Sequence, residues 1–300
     1  MQRERVGAMS ARTAMTASTN GGAGPAAAQA GDGLVRSLVR GLESTVVAFS
    51  GGVDSSVVLV LAVEELGPDR VLAVTSASET YLPEEIDEAR ALALRLGARH
   101  LVIETEELAI PGFVENSPDR CYHCKTELYG ALRTIAGREG LATVVDGANS
   151  DDSRDFRPGH QAADEAGVRH PLMEAGLGKE SVRSLALRLG LDNWAKPSSP
   201  CLSSRFPYGE HITLEKLAVV REAEAHLRRL GFANLRVRYH GPVARIEVPV
   251  GDLPALLEPD FRVALVGRFK ELGFAYVTVD LEGFRSGSMN EVLPEQRGTT

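Results

Sequence analysis

Ser44-Thr45-Val46-Val47-Ala48-Phe49, followed by Ser50-Gly51-Gly52-Val53-Asp54-Ser55, decides how the rest of the chain is read. The first six residues are a short β-branched run bounded by polar positions, the pattern of a buried strand. An apolar helix is expected from about Asp54 to Leu66, stopped by Gly67-Pro68. Between them, two adjacent glycines let the backbone turn tightly and bring its amides close to a ligand. A helix start adds unclaimed N–H donors and the positive end of the dipole, so the loop is an anion cradle suited to phosphate. The P-loop pattern is absent: Gly178-Lys179 is followed by Glu180. The dinucleotide pattern fails as well, because Gly176-x-Gly178 lacks its third glycine.

Working outward, strands and helices alternate. Arg70–Ser76, Arg99–Ile103 and Ala142–Asp146 read as strands, and Pro83–Leu96 and Glu127–Ala136 as helices. That order predicts an α/β fold with a parallel sheet and helices on both faces. Ligands of such sheets bind beyond the carboxyl ends of the strands. Helices are expected near Gln161–Ala166 and over Lys179–Leu189. From Thr213 the order changes to α-β-β-α-β, which predicts a smaller C-terminal α+β domain with a boundary near residue 200. Residues 1–31 are rich in Ala, Gly, Ser and Thr and are expected to be a disordered tail; 292–300 are expected to be a flexible one.

The 300 residues carry a net charge of -8, which repels a nucleic-acid backbone and makes a nucleic-acid partner unexpected. No run approaches the roughly 20 apolar residues of a membrane span. Three cysteines are an odd number and do not suggest a disulfide framework; a reducing, cytoplasmic setting is expected. Cys121-Tyr122-His123-Cys124 is a C-x-x-C pair, and Cys201 sits in a proline- and serine-rich stretch. By themselves these could be a redox pair, part of a zinc site or iron–sulfur ligands. Lys125 and Arg205, near the thiols in sequence, would favour the reactive thiolate. Lys125 and Lys196 could also neutralise charge on a reacting intermediate. Arg236 and Arg238 alternate on one strand face, where arginine geometry suits a substrate phosphate, and Arg285 is a further candidate.

The loop Ser50–Ser55 resembles the pyrophosphate (PP) loop of the N-type ATP pyrophosphatases. Taken with RCYHCK (120–125), DGANSDDSRDFRPG (146–159), PLMEAGLGK (171–179), KPSSPCLSSRFPYG (196–209) and FRSGSMNE (284–291), the chain resembles the LarE family of ATP-dependent sulfur transferases from about residue 34 to 291. The resemblance implies an adenine nucleotide α-hydrolase-like domain over 32–200 and a substrate or oligomerisation domain over 201–291. It implies ATP bound by Ser50, Gly51, Gly52, Val53, Asp54 and Ser55, with the 146–152 segment, including Gly147 and Asn149, closing over it; Arg157 could contact phosphate. Ser78, beside Ser76, is placed near adenine by fold analogy. Magnesium would be held by Asp54, with Asp151 and Glu224 as further carboxylates. The implied reaction adenylates a carboxylate of pyridinium-3,5-biscarboxylic acid mononucleotide and replaces AMP by sulfur, for the nickel-pincer cofactor of lactate racemase. Sulfur would come either from Cys201 itself or through a [4Fe–4S] cluster held by Cys121, Cys124 and Cys201. A homo-oligomer and transient contact with other cofactor-biosynthesis proteins are also expected. A tRNA thiolase, an amidating enzyme of the same fold, and a nucleotide-binding module with structural zinc stay open as alternatives.

Overall fold

Val46 and Val47 are both fully buried, yet they face opposite sides of one sheet. The computed structural model describes residues 25–154, 158–285 and 287–293. The first half runs α1 (Pro25–Arg40), β1 (Thr45–Ala48), α2 (Val53–Leu66), β2 (Val71–Ala77), α3 (Pro83–Arg95) and β3 (Arg99–Glu104). It continues with α4 (Pro111–Val114), α5 (Arg120–Glu139), β4 (Thr143–Val145), α6 (Pro158–Glu165), α7 (Pro171–Glu174) and α8 (Lys179–Arg188). The four strands are parallel in the order β3-β2-β1-β4. Successive side chains of a strand point to opposite faces. Val47, Ala73 and Val145 therefore pack with α1, α2 and α8, while Val46, Leu72, Val74 and Val144 pack under α5 and α6. The α/β expectation is met.

The chain leaves β1 toward β2 on one side and returns to β4 on the other. The crevice between the carboxyl ends of β1 and β4 is thus the topological switch point, where ligands of open parallel sheets bind. The Ser50–Ser55 loop follows β1, and Asp146-Gly147 follows β4.

The second half runs α9 (Leu214–Arg229), β5 (Arg236–His240), β6 (Val243–Glu247), α10 (Leu253–Leu257), α11 (Pro259–Glu271) and β7 (Tyr276–Val279). β5 and β6 are antiparallel, β6 and β7 parallel. Leu227, Val237, Ile246 and Phe269 form a separate apolar core. A third cluster, Phe113 with Leu202, Phe206, Ile212, Leu217 and Val220, joins the halves. The backbone is stitched there too: Leu202 donates to Thr80, Gly209 to Asn116 and Ile212 to Val114.

Two elements differ from expectation. Helix α1 reaches back to Pro25, into the segment read as a disordered tail. Helix α5 begins at Arg120, not at Glu127, so the C-x-x-C lies on its opening turns instead of in a loop. The polar run Ser117-Pro118-Asp119 is a tight turn into the helix: Arg120 N–H donates to Ser117 and Tyr122 N–H to Asp119. Cys121 and Cys124 are three apart on that helix and share a face.

Candidate active site

The cradle is built by the loop's own serines. Ser56 Oγ donates to the Gly52 carbonyl (2.7 Å), Ser55 Oγ to the same carbonyl (3.2 Å), and Gly52 N–H to Ser50 Oγ (3.3 Å). Asn193 Nδ2 braces the loop from outside, donating to Gly51 O and Ser56 Oγ. Gly51 is left-handed (φ 68°), and a β-carbon there would lie 3.0 Å from Ala89 Cβ. Gly52 caps α2 with no side-chain hydrogen bond. The first amides of α2 are therefore not claimed by a capping side chain, the condition under which a helix start receives an anion.

The opposite wall comes from β4 and α8. Asp146 is held by Tyr129 OH (2.6 Å), His170 Nδ1 (2.7 Å) and Ala148 N–H (3.0 Å). Burial would raise the Asp146 pKa, but the bonds from His170 and Tyr129 hold it below its ordinary value. Burial would lower His170, and Asp146 outweighs it, so the imidazole is raised. Gly147 presses on the loop itself: a β-carbon there would lie 2.6 Å from Ser55 N. Lys179, first residue of α8, forms an ion pair with Asp54 Oδ2, while Asp54 Oδ1 is buried with no hydrogen-bond partner among the described residues.

A cleft of about 890 Å³ runs from this cradle to the C-terminal domain. Of the expected residues it is lined by Ser50, Gly52, Val53, Asp54, Ser55 and Gly147 at one end. Cys121, Lys125, Lys196, Cys201, Arg236, Arg238 and Arg285 line the remainder. Cys124 is half-buried beneath them, and burial pushes its thiol up to about 12, with Cys201 and Cys121 adding to the effect against Lys125. Cys121 and Cys201 thus lie near enough to Cys124 to bear on its charge. Even so, among the described residues no three His, Cys, Asp or Glu side chains are grouped to hold a metal ion.

Other expected residues are engaged elsewhere. Asp151 is exposed and accepts the Lys179 backbone N–H (2.7 Å), capping α8; its neighbour Asp152 lines the cleft instead. Asn149 is buried and accepts Asp151 N–H in a local turn (3.1 Å). Ser78 bonds Thr80 in the turn after β2, whereas Ser76 faces the cleft. Arg157 lies outside the described residues. Glu224 is wholly buried and accepts from Arg205 twice (2.8 and 3.0 Å), from Arg228 and from Val237 N–H, which leaves its oxygens no room for a cation. Arg205 does not meet a thiol. It is locked on Glu224 and donates to the carbonyls of Pro200 and Cys201, so it positions the Cys201 backbone.

The arginines divide in the same way. Arg238 is matched to Glu247 by two bonds (3.0 and 2.8 Å), and Arg285 pairs with Glu282 and Glu291. Among the described residues Arg236 bonds only the carbonyls of Leu235 and Ser198, and it stacks on Phe284, 4.9 Å away. Burial, reinforced by Arg205 and Arg238, lowers it to about 10, so it keeps its charge at neutral pH. Asp146 and Asp152 lay inside the 146–152 segment expected to close over ATP, although Asp151 was the carboxylate chosen from it; His170 and Lys179 escaped sequence reasoning. Lys179 stood in view inside the Pro171–Lys179 segment, where only its failure as a P-loop lysine was weighed.

The chain is similar to known proteins along most of its length. The family model described as NAD synthase matches residues 33–124. An uncharacterized protein of Synechocystis is 46% identical over 86% of this chain and 96% of its own. The pyridinium-3,5-bisthiocarboxylic acid mononucleotide synthase of Lactiplantibacillus plantarum is 44% identical, over 89% of this chain and 96% of its own. An NH(3)-dependent NAD(+) synthetase of Hyperthermus butylicus is 34% identical over 54% of this chain and 60% of its own. With a phosphate cradle at the switch point, a cysteine at the far end of the same cleft and this degree of identity across both halves, the chain belongs to the LarE family of PP-loop, ATP-dependent enzymes.

Proposed function

We propose that the protein adenylates a carboxylate of pyridinium-3,5-biscarboxylic acid mononucleotide and replaces the adenylate by sulfur. The observation that carries this reading is one cleft lined both by the Ser50–Ser55 cradle and by Cys201. A carboxylate is a poor electrophile because oxide would have to leave. Attack of its oxygen on the α-phosphorus of ATP expels pyrophosphate into the α2 amides and Lys179, and leaves an acyl adenylate. A sulfur nucleophile then attacks the acyl carbon and AMP departs.

Asp54, with its unpartnered Oδ1, and Asp152 suit a magnesium ion, a hard cation that takes carboxylate and phosphate oxygen. Bound there, the ion would offset the charge of the phosphates. Arg236, buried on the cleft wall without a carboxylate partner among the described residues, is our choice for the substrate phosphate, with Arg285 beside it. Residues 32–200 would supply the nucleotide site, and 201–291 the substrate site and any homo-oligomer contact.

Two sulfur routes fit different observations. Cys121 and Cys201 on the cleft wall, with Cys124 near enough to feel both, would suit a [4Fe–4S] cluster whose fourth iron carries an added sulfide. Cys201, lining the same cleft as the Ser50–Ser55 cradle, suits direct use of its own sulfur. The test is incubation with ATP, magnesium and the mononucleotide, following AMP, pyrophosphate and the thiocarboxylate by mass spectrometry. Iron and acid-labile sulfide analysis of protein prepared without air accompanies it. No pyrophosphate release, or thiolation of tRNA in place of the mononucleotide, refutes the reading. Absence of iron with conversion of Cys201 to dehydroalanine selects the second route.

A further inference from the structure

Helix α8 has two unlike faces. Val182, Leu185 and Ala186 are buried in the core beside the sheet. Lys179, Arg183 and Leu187 lie four residues apart and share another face. On that side is a second pocket, of about 530 Å³, which these three residues line with Glu180, Ser184 and Trp194. Lys179 and Arg183 also line the main cleft, and among the described residues no others border both spaces. The two cations are thus a shared wall.

They are not equivalent. Lys179 is ion-paired with Asp54. Arg183 has no carboxylate partner among the described residues, and its Nε is buried without a hydrogen bond. An unsatisfied buried donor is costly, and an incoming acceptor recovers that cost. Ser184 adds a hydroxyl to the pocket, and Leu187 and Trp194 shield part of it from water, which strengthens charge interactions there. Glu180 is the one carboxylate of this lining and opposes a bound anion, so the pocket suits passage better than storage. Trp194 follows Asn193, which braces the Ser50–Ser55 loop, so the pocket adjoins the cradle from outside.

The anion that would meet this wall is the leaving group of adenylation. Pyrophosphate formed in the cradle would be shut in on the cleft side by the acyl adenylate, which has to stay until sulfur attacks it. A way out past Lys179 and Arg183 does not disturb the adenylate. We propose that the pocket between α8 and Trp194 is an exit site for pyrophosphate, and that Arg183 draws the product out of the cradle into it. The role as an exit rests on the adenylation reading above; the capacity of the pocket to bind pyrophosphate does not.

Trp194 is the chain's one tryptophan, so its fluorescence observes this pocket. Full-length protein saturated with α,β-methylene-ATP and magnesium, which fills the cradle, is titrated with pyrophosphate. The emission should change saturably, and orthophosphate at the same concentration should not reproduce the change. Arg183→Gln should weaken the titration by about tenfold, the effect of losing one hydrogen bond between charged groups. In turnover it should slow the appearance of pyrophosphate in solution relative to its formation on the enzyme, read by acid quench. Ser184→Asp sets a negative charge in the pocket at an exposed position and should weaken the titration as well. It serves as the test by itself if Arg183→Gln does not fold. No emission change with the analogue bound overturns the proposal, because pyrophosphate then sits in the cradle alone. An equal response to orthophosphate, or a midpoint in Ser184→Asp equal to the parent's, overturns it too. If the parent forms no pyrophosphate from ATP and the mononucleotide, the adenylation reading fails, and the titration still decides whether the pocket takes pyrophosphate.

Discussion

Lys179 Nζ is ion-paired with Asp54 Oδ2 at the mouth of the phosphate cradle. The two residues open α8 and α2, which pack side by side on one face of the sheet. Under the proposed function Asp54 would draw in a cation, and Lys179 is long enough to turn from it toward a phosphate oxygen. The pair is partly exposed, so as a structural salt bridge it contributes less than about 1 kcal/mol. Under the proposed function its chemical role would be larger. Lys179→Met is expected to slow pyrophosphate release by about 10²-fold, the usual effect of losing one preorganised charge-stabilising donor. The melting temperature should stay within a few degrees. A pre-steady-state assay of pyrophosphate beside a thermal melt checks both; equal rates in the two proteins would remove Lys179 from the mechanism.

Gly147 is a second test of the cradle. Its added β-carbon would meet Ser55 N at 2.6 Å and the Asp54 carbonyl carbon at 2.9 Å, both backbone atoms that cannot swing away. Such overpacking costs about 1–3 kcal/mol. Gly147→Ala should push the start of α2 off its position and weaken ATP binding by about tenfold or more. Calorimetric titration with a non-hydrolysable ATP analogue measures this. Gly130→Ala, with nothing within 4 Å of the new carbon, should bind as the parent does.

Arg205 and Glu224 lock Cys201 in place from behind. Both side chains are essentially inaccessible, at 1% and 0% exposure. Removing one member of such a pair leaves the other charge buried, at a cost of about 3–5 kcal/mol. Arg205→Met is expected to lose that stability in urea denaturation and to free the Cys201 backbone. Glu224→Gln should lose a similar amount, since Arg205 and Arg228 both lean on the same carboxylate. If Glu224 were a metal ligand instead, added magnesium would raise the melting temperature of the parent and not of Glu224→Gln. We expect no such difference.

What could be read in advance was what is local. The parallel sheet showed itself through β-branched runs such as Thr45–Ala48, and the cradle through contiguous Gly51-Gly52 between a strand and a helix. Residues whose meaning depends on a distant partner could not be read. Lys179 finds Asp54 across 125 positions, and Arg205 finds Glu224 across 19. Arg236 and Arg238 looked alike on one strand face, yet one is matched by Glu247 and the other by no carboxylate among the described residues. The start of α5 was missed because its first turn is polar and follows Ser117-Pro118-Asp119, which mimics a loop. The misreading had a consequence, because it hid Arg120 as part of the cleft wall.

The Asp146–His170 pair predicts how stability depends on pH. Asp146 is held below its ordinary carboxylate value and His170 above its ordinary imidazole value. A lowered acid stabilises the fold above its unfolded pKa, and that contribution is lost as pH falls through the folded one. A raised base stabilises below its unfolded pKa, about 6.5, and is lost as pH rises through the folded value. The pair is therefore worth most between the carboxylate range and about pH 6.5. His100, His226 and His240 are shifted the other way, chiefly by burial, so the parent's own pH curve is a composite. The difference between parent and His170→Gln isolates the pair. That difference is expected to be greatest near pH 6 and to shrink steadily toward pH 9, at about 1.4 kcal/mol for each unit by which His170 is raised. Urea denaturation of both proteins at half-unit intervals measures it. A difference that is flat across the range, or that grows with pH, would show that His170 is neutral in the folded protein and that Tyr129 and Ala148 alone hold Asp146.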